Sequence, residues 1–454
     1  MALAALAAMA PTAQAAKKPW PPIPKHGATF VHFGEEHLSD EDGMRIFPKV
    51  IQQSGRYRPD LVTASADKAD NGTVENLEGW KDLMKPFDRR GIPYFPGVGN
   101  HDRTATPPIP SGIDPMGSLE LYKSIFADRP YPFGDARPYR VKRLGPRKRP
   151  ATDPAGASSH YAVEFGPVRW IFIDNSCFSI INCDPLQSPP FPDSDGNQTQ
   201  YEFLASEAAK ADAEGDLAFV VMHMPTQDDR PGHTQPTPGP HTMGEGTSPD
   251  NALFEQAAAS AGIDGVFVGH IKGMWEYSAS DIPYFTDGGA GGEVYVGPGE
   301  ETGVDYGYWH GYRLINVRKG RMRTYPIPVF KRKGIEISGP RRLSVGETGE
   351  FAAVGQQPTV HGPDVKLELR APDPSRPNID ALPTPAYIWS TSQRKILRPG
   401  STDKGSTRRN RRQTSSGEFK AVCAGLATVR IKSGWQTARY RVKVKGPEPP
   451  RCRR

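Results

Sequence analysis

The sequence predicts an α/β region that contains a parallel sheet covered by helices on both faces, followed by a small all-β region. Between residues 29 and 317, apolar strands alternate with helical segments, as is typical of buried parallel sheets. From about Gly339, short strands with alternating polarity recur without a convincing helix, which favours a β-sandwich. The length of 454 residues, with 47 Gly and 47 Pro, favours two folded domains with long loops.

The elements of the first region follow one another in the order β-α-β-α-β and then continue with further strands and helices. The expected strands are residues 29–33, 61–65, 92–98, 161–165, 168–174, 217–222, 265–268, 282–286 and 312–317. The expected helices are residues 42–54, 73–89, 201–214 and 251–261. A basic, Pro-rich insertion at residues 103–158 shows little periodicity. The expected strands of the second region include residues 350–354, 427–431 and 440–444.

These patterns divide the chain into four parts. They are an apolar leader at 1–15, the α/β domain at 26–332, the β-sandwich at 339–446 and a basic, Pro-rich tail at 447–454. The leader ends in Ala13-Gln14-Ala15, small residues of the kind that signal peptidase accepts, although the usual basic start is missing. Export is therefore expected, with a disordered Ala-rich tail as the alternative. No later apolar run is long enough to span a bilayer.

The four cysteines agree with an oxidising compartment. Cys177 and Cys183 lie in one loop, and Cys423 and Cys452 lie near the C-terminal end. This clustering predicts one local disulfide in each domain. A cysteine zinc site is disfavoured because no CxxC spacing occurs.

The charge of the chain gives little information about partners. Lys+Arg 57 against Asp+Glu 51 leaves a formal charge of +6, which would suit a substrate that carries phosphate, although solubility is the favoured explanation. The basic run at residues 408–412 could contact an anionic cell-envelope polymer, but a solvated loop is the favoured interpretation. Nucleic acid is not expected as a partner, because no aromatic residue interrupts this run.

Polar side chains follow the carboxyl ends of several predicted strands of the first region. Loops at this edge of a parallel sheet gather in one crevice, where ligands bind. Carboxylate, imidazole and amide donors suit Zn²⁺, Mn²⁺ or iron. Two such ions can hold a phosphate and lower the pKa of water. The segments are Glu35-Glu36-His37, Asp67-Lys68-Ala69-Asp70, Gly99-Asn100-His101-Asp102, His223 and Gly269-His270.

This ordered series resembles the calcineurin-like metallophosphoesterase family, which includes the purple acid phosphatases. The family pattern is DxH, GDxxD, GNH[D/E], a single His and GHxH, and the likeness spans about residues 29–317 with a Gly-rich turn at 287–292. The resemblance implies a four-layer α/β/β/α sandwich with two sheets. It also implies hydrolysis of phosphate mono- or diesters by attack of a metal-bound hydroxide, with one or two ions of Zn, Mn or Fe.

The resemblance also assigns metal ligands. It implies that Asp67 bridges two metal ions. One ion would be completed by Asn100, His223 and His270, all of which match the family pattern. The second ion would be held with Glu35 and His37.

The resemblance further implies roles in catalysis. His101 would contact the scissile phosphate and protonate the leaving group, and Asp102 would orient His101. His233 and His241 lie in a polar loop, and a flexible loop is favoured over a substrate entrance. His310 is expected to pack or hydrogen-bond near the last strand.

Two positions depart from the family pattern at the second metal. Glu35 replaces an aspartate and is one carbon longer, while Lys272 replaces the last histidine of GHxH. An ammonium group has no lone pair for a metal and repels a cation. Lys272 could point away and leave a weak metal, replace that metal as a clamp on the phosphate, or mark an inactive site. A functional site is favoured.

Two functions therefore remain. The first is an exported metallophosphoesterase that acts on phosphate esters. The alternative is an inactive relative that binds the cell envelope or a partner. The C-terminal region resembles bacterial immunoglobulin-like domains in residues 343–348, 388–390 and 425–429, and would supply that contact.

Overall fold

The computed structural model describes most of both predicted regions. The described residues are 27–103, 119, 121–122, 125–126, 151–153, 159–181, 183, 199–228, 241–243, 249–294, 302–360, 365–375, 381–400, 413–414 and 416–452. The predicted leader, most of the 103–158 insertion, His233 and the basic run at 408–412 lie outside the described residues. None of the described helices is long and apolar enough to cross a membrane.

The N-terminal region alternates strands and helices close to the predicted positions. Its strands are β1 (Ala28–Phe33), β2 (Leu61–Ala64), β3 (Tyr94–Pro96), β4 (Ala151–Asp153), β5 (Tyr161–Glu164), β6 (Val168–Phe172), β7 (Leu217–Val221), β8 (Gly265–Val268), β9 (Met274–Ala279), β10 (Ile282–Asp287), β11 (Gly311–Arg318) and β12 (Arg321–Pro328). Its helices are α1 (Glu41–Ser54), α2 (Val74–Asp88), α3 (Asn100–Arg103), α4 (Gln200–Glu214) and α5 (Asp250–Ala261), with a 3-10 turn at Gly55–Tyr57.

Side-chain caps explain where three of the helices begin. Asp40 accepts the backbone N–H of Asp42 ahead of α1, and Thr73 accepts that of Asn76 in α2. Thr199 and Glu202 form a reciprocal capping box at the start of α4. Such caps satisfy N–H groups that have no partner inside the helix.

The strands form two mixed sheets, and the parallel pairing expected for the strands between residues 29 and 98 is confirmed. The first sheet has the order β12-β11-β1-β2-β3, and the second has the order β4-β5-β6-β7-β8-β10-β9. β1, β2 and β3 are parallel, as are β6, β7, β8 and β10. β11 pairs antiparallel with β1, with Ile315 opposite Phe30. The central strands are nevertheless parallel, and their carboxyl ends carry the predicted site.

The two sheets pack face to face through a core rich in aromatic residues. Phe30 and Phe219 both pack edge-on against Trp170, and Phe267 joins them at 5.5 Å from the Trp170 ring. The opposite face of the first sheet packs on α1 and α2, and that of the second packs on α4 and α5. The architecture is therefore the expected α/β/β/α sandwich. Burial of these aromatic side chains contributes much of its stability.

The sequence analysis did not identify strands β9 and β12. Both belong to hairpins whose two-residue turns have positive φ, namely Ser280-Asp281 and Lys319-Gly320. Such turns match the twist of antiparallel strands. Only the second contains glycine, so the usual turn signal was missing from the first.

The C-terminal region is all-β apart from a short 3-10 turn at Pro450–Cys452 among its described residues. Its strands are β13 (Ile335–Ser338), β14 (Arg342–Ser344), β15 (Thr348–Glu350), β16 (Ala352–Gln357), β17 (Val365–Glu368), β18 (Tyr387–Thr391), β19 (Leu397–Pro399), β20 (Gln413–Thr414), β21 (Glu418–Ala421), β22 (Gly425–Ser433) and β23 (Gln436–Lys445). They form sheets of order β13-β16-β17, β14-β23-β22-β18-β20 and β15-β21-β19. The strand predicted at 350–354 is divided at Phe351 between two sheets, because β15 pairs with β21 and β16 pairs with β13.

The two regions share a continuous core at their junction. The ring of Phe330 occupies the space where a side chain at position 355 would lie, so Gly355 permits this close packing. The Gln357 side chain accepts the backbone N–H of His310 at 2.8 Å and donates to the carbonyl of Val329 at 2.8 Å. Cys177–Cys183 and Cys423–Cys452 are disulfides, as the sequence predicted.

Candidate metal centre

The loops after β1 and β2 hold each other in place through backbone hydrogen bonds. The N–H of His37 donates to the carbonyl of Asp67 at 3.0 Å, and that of Leu38 donates to Lys68 at 2.9 Å. The N–H of Asp70 donates to the carbonyl of Leu38 at 3.0 Å. This short ladder fixes the two loops side by side beyond the ends of their strands.

Four predicted metal ligands have left-handed backbone conformations. Glu35 has φ 61°, His37 44°, Asp67 50° and His270 63°. Few residues other than glycine adopt this region, because Cβ approaches the backbone. Such strain is found at functional sites, where the surrounding structure enforces it. The backbone is therefore bent so that these side chains point into a common space.

The predicted Gly-rich turn after β10 packs directly beneath this space. A side chain at Gly291 would overlap the carbonyl oxygen of Glu36. A Cβ at Gly292 would lie 2.9 Å from Cδ2 of His37, closer than real Cβ contacts. Glycine is required here by a close approach of two loops, since any side chain would displace His37.

The first cluster of donors, which we call the His223 group, comprises Asp67, Asn100, His223 and His270. Nε2 of His223 lies 2.6 Å from Oδ1 of Asn100, 3.3 Å from Oδ2 of Asp67 and 3.2 Å from Nδ1 of His270. His223 and Asp67 are almost completely buried. The structure thus brings together all four residues expected to hold one metal ion.

Charge and burial oppose each other within the His223 group. Burial would raise the pKa of Asp67, but the charge and hydrogen bond of His223 outweigh it and lower that pKa. Burial and repulsion from His223 lower the pKa of His270 well below its usual value. A neutral imidazole and an ionised carboxylate are the forms that bind a metal ion.

The second cluster, which we call the His37 group, comprises Glu35, His37 and Asp67. Nε2 of His37 lies 3.1 Å from Oε2 of Glu35 and 3.7 Å from Oδ2 of Asp67. The other oxygen of Glu35 accepts the backbone N–H of His270 at 2.6 Å. Asp67 therefore stands between the two groups, as a bridging ligand would.

Hydrogen bonds and the charge of Lys272 set the electrostatics of His37 in this group. Burial alone would lower the pKa of His37, but hydrogen bonds with Asp70 and Glu35 raise it to about 9. The charge of Lys272 opposes this rise, so the half-buried Lys272 lies on the His37 side of the site. Its positive charge acts on His37 and on Asp70, so it opposes a second cation held by the His37 group.

The surroundings of His101 correct one predicted role. Nδ1 of His101 lies 2.8 Å from the carbonyl oxygen of Asp70 and 3.8 Å from its carboxylate. Because a carbonyl only accepts, Nδ1 carries the proton in this contact, which sets the orientation of the ring. The side chain is 37% exposed, so a ligand can reach it.

Asp102 faces away from that ring and holds the loops instead. Its carboxylate accepts the backbone N–H groups of Asp67 at 3.1 Å, Lys68 at 2.8 Å and Gly99 at 3.0 Å. It also pairs with the buried ammonium of Lys68 at 2.9 Å. The expectation that Asp102 orients His101 is therefore replaced: Asp70 contacts the ring, and Asp102 positions the backbone.

Other residues near the site were missed or undervalued. Asp70 lies 3.2 Å from Nδ1 of His37, and its place in the predicted GDxxD-like segment was an available signal. Asn175 accepts the backbone N–H of His223 at 2.9 Å, for which the sequence gives no motif. The His241 ring lies 5.7 Å from that of His270, so His241 borders the site. His310 is buried at the base of the Gly-rich turn, as expected.

The donor chemistry fits a metal ion. The ligand atoms of Asp67, His223 and His270 all lie within 4.8 Å of one another, as do those of Glu35, His37 and Asp67. Burial removes the hydration of these carboxylates and imidazoles, and pairing or a bound cation offsets that cost. Nitrogen and oxygen donors of this kind suit Zn²⁺, Mn²⁺ or iron.

Among solved structures, the chain is similar to several phosphatases and a related anchor protein. For GAP50, the anchor in the inner membrane complex of Plasmodium, identity is 14% and the TM-score is 0.40, over 67% of this chain and 85% of that chain. For the purple acid phosphatase PPD1 from yellow lupin seeds, identity is 11% and the TM-score is 0.41, over 80% of this chain and 58% of that chain. For a dimetal phosphatase from Danio rerio, identity is 11% and the TM-score is 0.39, over 66% of this chain and 96% of that chain.

The family comparison is more decisive than these distant structural likenesses. No curated protein sequence matches the chain significantly. The model of the calcineurin-like phosphoesterase family matches residues 28–273, more than half of the 454 residues. This span contains both donor groups and His101. The chain therefore belongs to the calcineurin-like phosphoesterase family.

Proposed function

We propose that this protein hydrolyses phosphate mono- or diesters with one or two ions of Zn, Mn or Fe. The observation that carries the proposal is the convergence of Asp67, Asn100 and His270 on Nε2 of His223. When bound, the metal supplies Lewis acidity toward phosphoryl oxygens and lowers the pKa of water.

The protein's own groups then position the ester and handle its proton. His101 is the residue to which we assign contact with the phosphate, since the Asp70 carbonyl holds its Nδ1 and the side chain is partly exposed at the site. A proton on Nε2 would pass to the departing alcohol oxygen. Asp102 fixes the loop that carries His101 through its bonds to Lys68 and Gly99.

The His37 group is proposed to contribute in a different way. Glu35 and His37 would hold a second ion weakly, because Lys272 adds positive charge beside them. Without that ion, the Lys272 ammonium would attract an oxygen of the phosphate instead. Both arrangements leave the His223 group as the principal metal site.

The second candidate function is a non-catalytic binding protein, and Lys272 is the observation that favours it. In that case the C-terminal all-β region would contact the cell envelope or a partner. The immunoglobulin-like character of that region is part of this second proposal, whereas export through residues 1–15 is proposed for both functions. The disulfides Cys177–Cys183 and Cys423–Cys452 are compatible with an oxidising, extracytoplasmic compartment.

Metal content and turnover together separate the two functions. The purified full chain would be reconstituted with Zn²⁺, Mn²⁺ or Fe²⁺ and analysed by elemental mass spectrometry. Hydrolysis of 4-nitrophenyl phosphate and its bis-ester would be measured on the same samples. Turnover that depends on the metal and is lost in Asn100→Ala supports the enzyme. Absence of turnover with every metal, also in Lys272→His, supports the binding protein.

A further inference from the structure

The loop closed by the disulfide Cys177–Cys183 carries an exposed aromatic side chain at the edge of the metal centre. Phe178 is 38% exposed, whereas Ser179 and Ile180 beside it are buried. A single exposed apolar residue is common on protein surfaces and has no meaning by itself. Phe178 differs from such residues because it contacts His270 and because the loop that carries it is anchored.

Phe178 contacts a residue of the His223 group directly. Its ring lies 6.1 Å from that of His270, with an angle of 88° between the ring planes. This edge-to-face arrangement leaves part of the Phe178 ring open beside the proposed metal site. An ester whose phosphate reaches the His223 group can extend its organic part past this loop or past His241, whose ring also lies near His270.

The backbone of the loop is held in a conformation that costs free energy. Phe178 has φ 62°, in the left-handed region that a bulky residue seldom adopts. The disulfide spans only six positions, and the N–H of Cys177 donates to Sγ of Cys183 at 2.8 Å. The strained conformation therefore persists because the short ring enforces it.

Two buried charged residues anchor this loop from below. Asp250 accepts the backbone N–H of Ile181 at 3.2 Å and also the hydroxyl of Ser179. Arg103 follows His101 and Asp102 in α3, and it donates to Ser176 at 2.9 Å and contacts both disulfide sulfurs. The loop is thus fastened to the same helix that carries His101, which fixes Phe178 relative to the site.

We propose that Phe178 is a specificity-determining residue that stacks on a planar aromatic or heteroaromatic group of the phosphate ester. This inference rests on the proposed function, because it names the organic group of the same substrate. A rigid ring with an open face recognises flat π-systems in preference to saturated rings of equal size. Simple aryl groups and nucleobases share this chemistry.

Binding of matched phosphonates tests the proposal without requiring turnover. Benzylphosphonate and cyclohexylmethylphosphonate have the same carbon count and differ in the flat ring. Calorimetry on the Mn²⁺-loaded full chain should give about 5-fold tighter binding of the benzyl compound. Phe178→Ala should reduce this ratio to less than about 2-fold, and Phe178→Trp should restore it. Leu426→Ala, at a site that is 68% exposed in the C-terminal region, should leave the ratio unchanged.

The outcomes separate this proposal from the proposed function. An equal affinity for both phosphonates in the wild type, no binding of either, or a ratio unaffected by Phe178→Ala overturns the role of Phe178. Benzyl preference in binding without turnover of benzyl phosphate contradicts the proposed function and supports the aromatic contact. A second pair, adenosine 5′-monophosphate and ribose 5-phosphate, distinguishes a nucleobase from a simple aryl group.

Discussion

The two donor groups of the metal centre share Asp67 but differ in charge. The His223 group combines one carboxylate with an amide oxygen and two imidazoles, and the pKa of His270 lies well below its usual value. In the His37 group, hydrogen bonds raise the pKa of His37 to about 9, and Lys272 stands nearby. Burial lowers the pKa of His223, but Asp67 and Glu35 raise it above its usual value, so each group has one histidine that must lose a proton before a cation binds, and the charge of Lys272 is what sets the His37 group apart.

This difference shows how one substitution can alter half of a two-metal site. A histidine at position 272 would add a neutral donor, and a lysine adds a positive charge. The longer side chain of Glu35 reaches across to the backbone N–H of His270, so that one of its oxygens is already engaged.

Removal of the central donor should abolish both metal binding and hydrolysis. His223→Ala should lower kcat/KM by roughly three orders of magnitude, since a metal ion contributes several kcal/mol and 1.36 kcal/mol is tenfold. Metal content per chain should fall in parallel by mass spectrometry. His241→Ala is the control, because His241 borders His270 without belonging to either group. Similar losses in the two variants would argue against the His223 group as the principal site.

Restoring the family's histidine should fill the second position. Lys272→His should raise the metal content from about one to about two ions per chain, and raise kcat/KM about tenfold through added charge stabilisation. Lys272→Gln removes the charge without adding an imidazole, and should raise occupancy less. If the histidine and glutamine variants behave alike, charge repulsion alone explains the weak second site. If neither changes the metal content, the proposed asymmetry is wrong.

A methyl group beneath His37 should disturb only one of the two groups. Gly292→Ala places a Cβ 2.9 Å from the His37 ring, so that His37 must move. We expect about tenfold weaker binding of the second ion in the Lys272→His background, as outer-shell changes typically cause. Gly79→Ala is the control because its Cβ would meet nothing within 4 Å. Equal metal affinities in the two variants would contradict the close approach.

Lowering the pH should protonate His310 and destabilise the Gly-rich turn that packs beneath the His37 group. Burial lowers the pKa of His310 from 6.5 to about 4. The contact of its Nδ1 with the Gly289 carbonyl, 3.3 Å away, raises that pKa by less than burial lowers it. The folded state therefore favours the neutral ring. This contribution is fully present above pH 6.5 and is lost as pH falls toward 4, by roughly a few kcal/mol. Asp40 and Lys49 modify the pKa only weakly.

Melting temperatures measured between pH 4 and 7 check this prediction. The wild type should lose stability steadily across that window. His310→Asn keeps a donor for Gly289 but does not titrate there, so its curve should be flatter. Parallel curves for the two proteins would show that His310 does not control the acid sensitivity.

Much of the first domain could be predicted because its strands are apolar and its helices carry clear caps. The α1 helix was expected at 42–54 and is found at Glu41–Ser54, since Asp40 caps it. The antiparallel pairing of β11 with β1 could not be predicted, because it depends on contacts between residues far apart in the chain. Strand β9 was missed because its hairpin turn contains no glycine.

The convergence of the candidate metal ligands could be predicted because each follows a strand end in the family's order. The directions of the side chains could not be predicted, and Asp102 is the clearest example. Its neighbour His101 points toward Asp70, while Asp102 itself turns to the backbone of Lys68. Phe178 carried no motif, since its importance arises from the left-handed backbone and from packing on His270.

Anomalous diffraction from crystals soaked with Mn²⁺ or Zn²⁺ tests the central claim most directly. The account predicts the strongest anomalous peak within bonding distance of Asp67, Asn100, His223 and His270, with a weaker peak or none between Glu35 and His37. A strongest peak at the His37 group, or a peak elsewhere with these four side chains unligated, would contradict it.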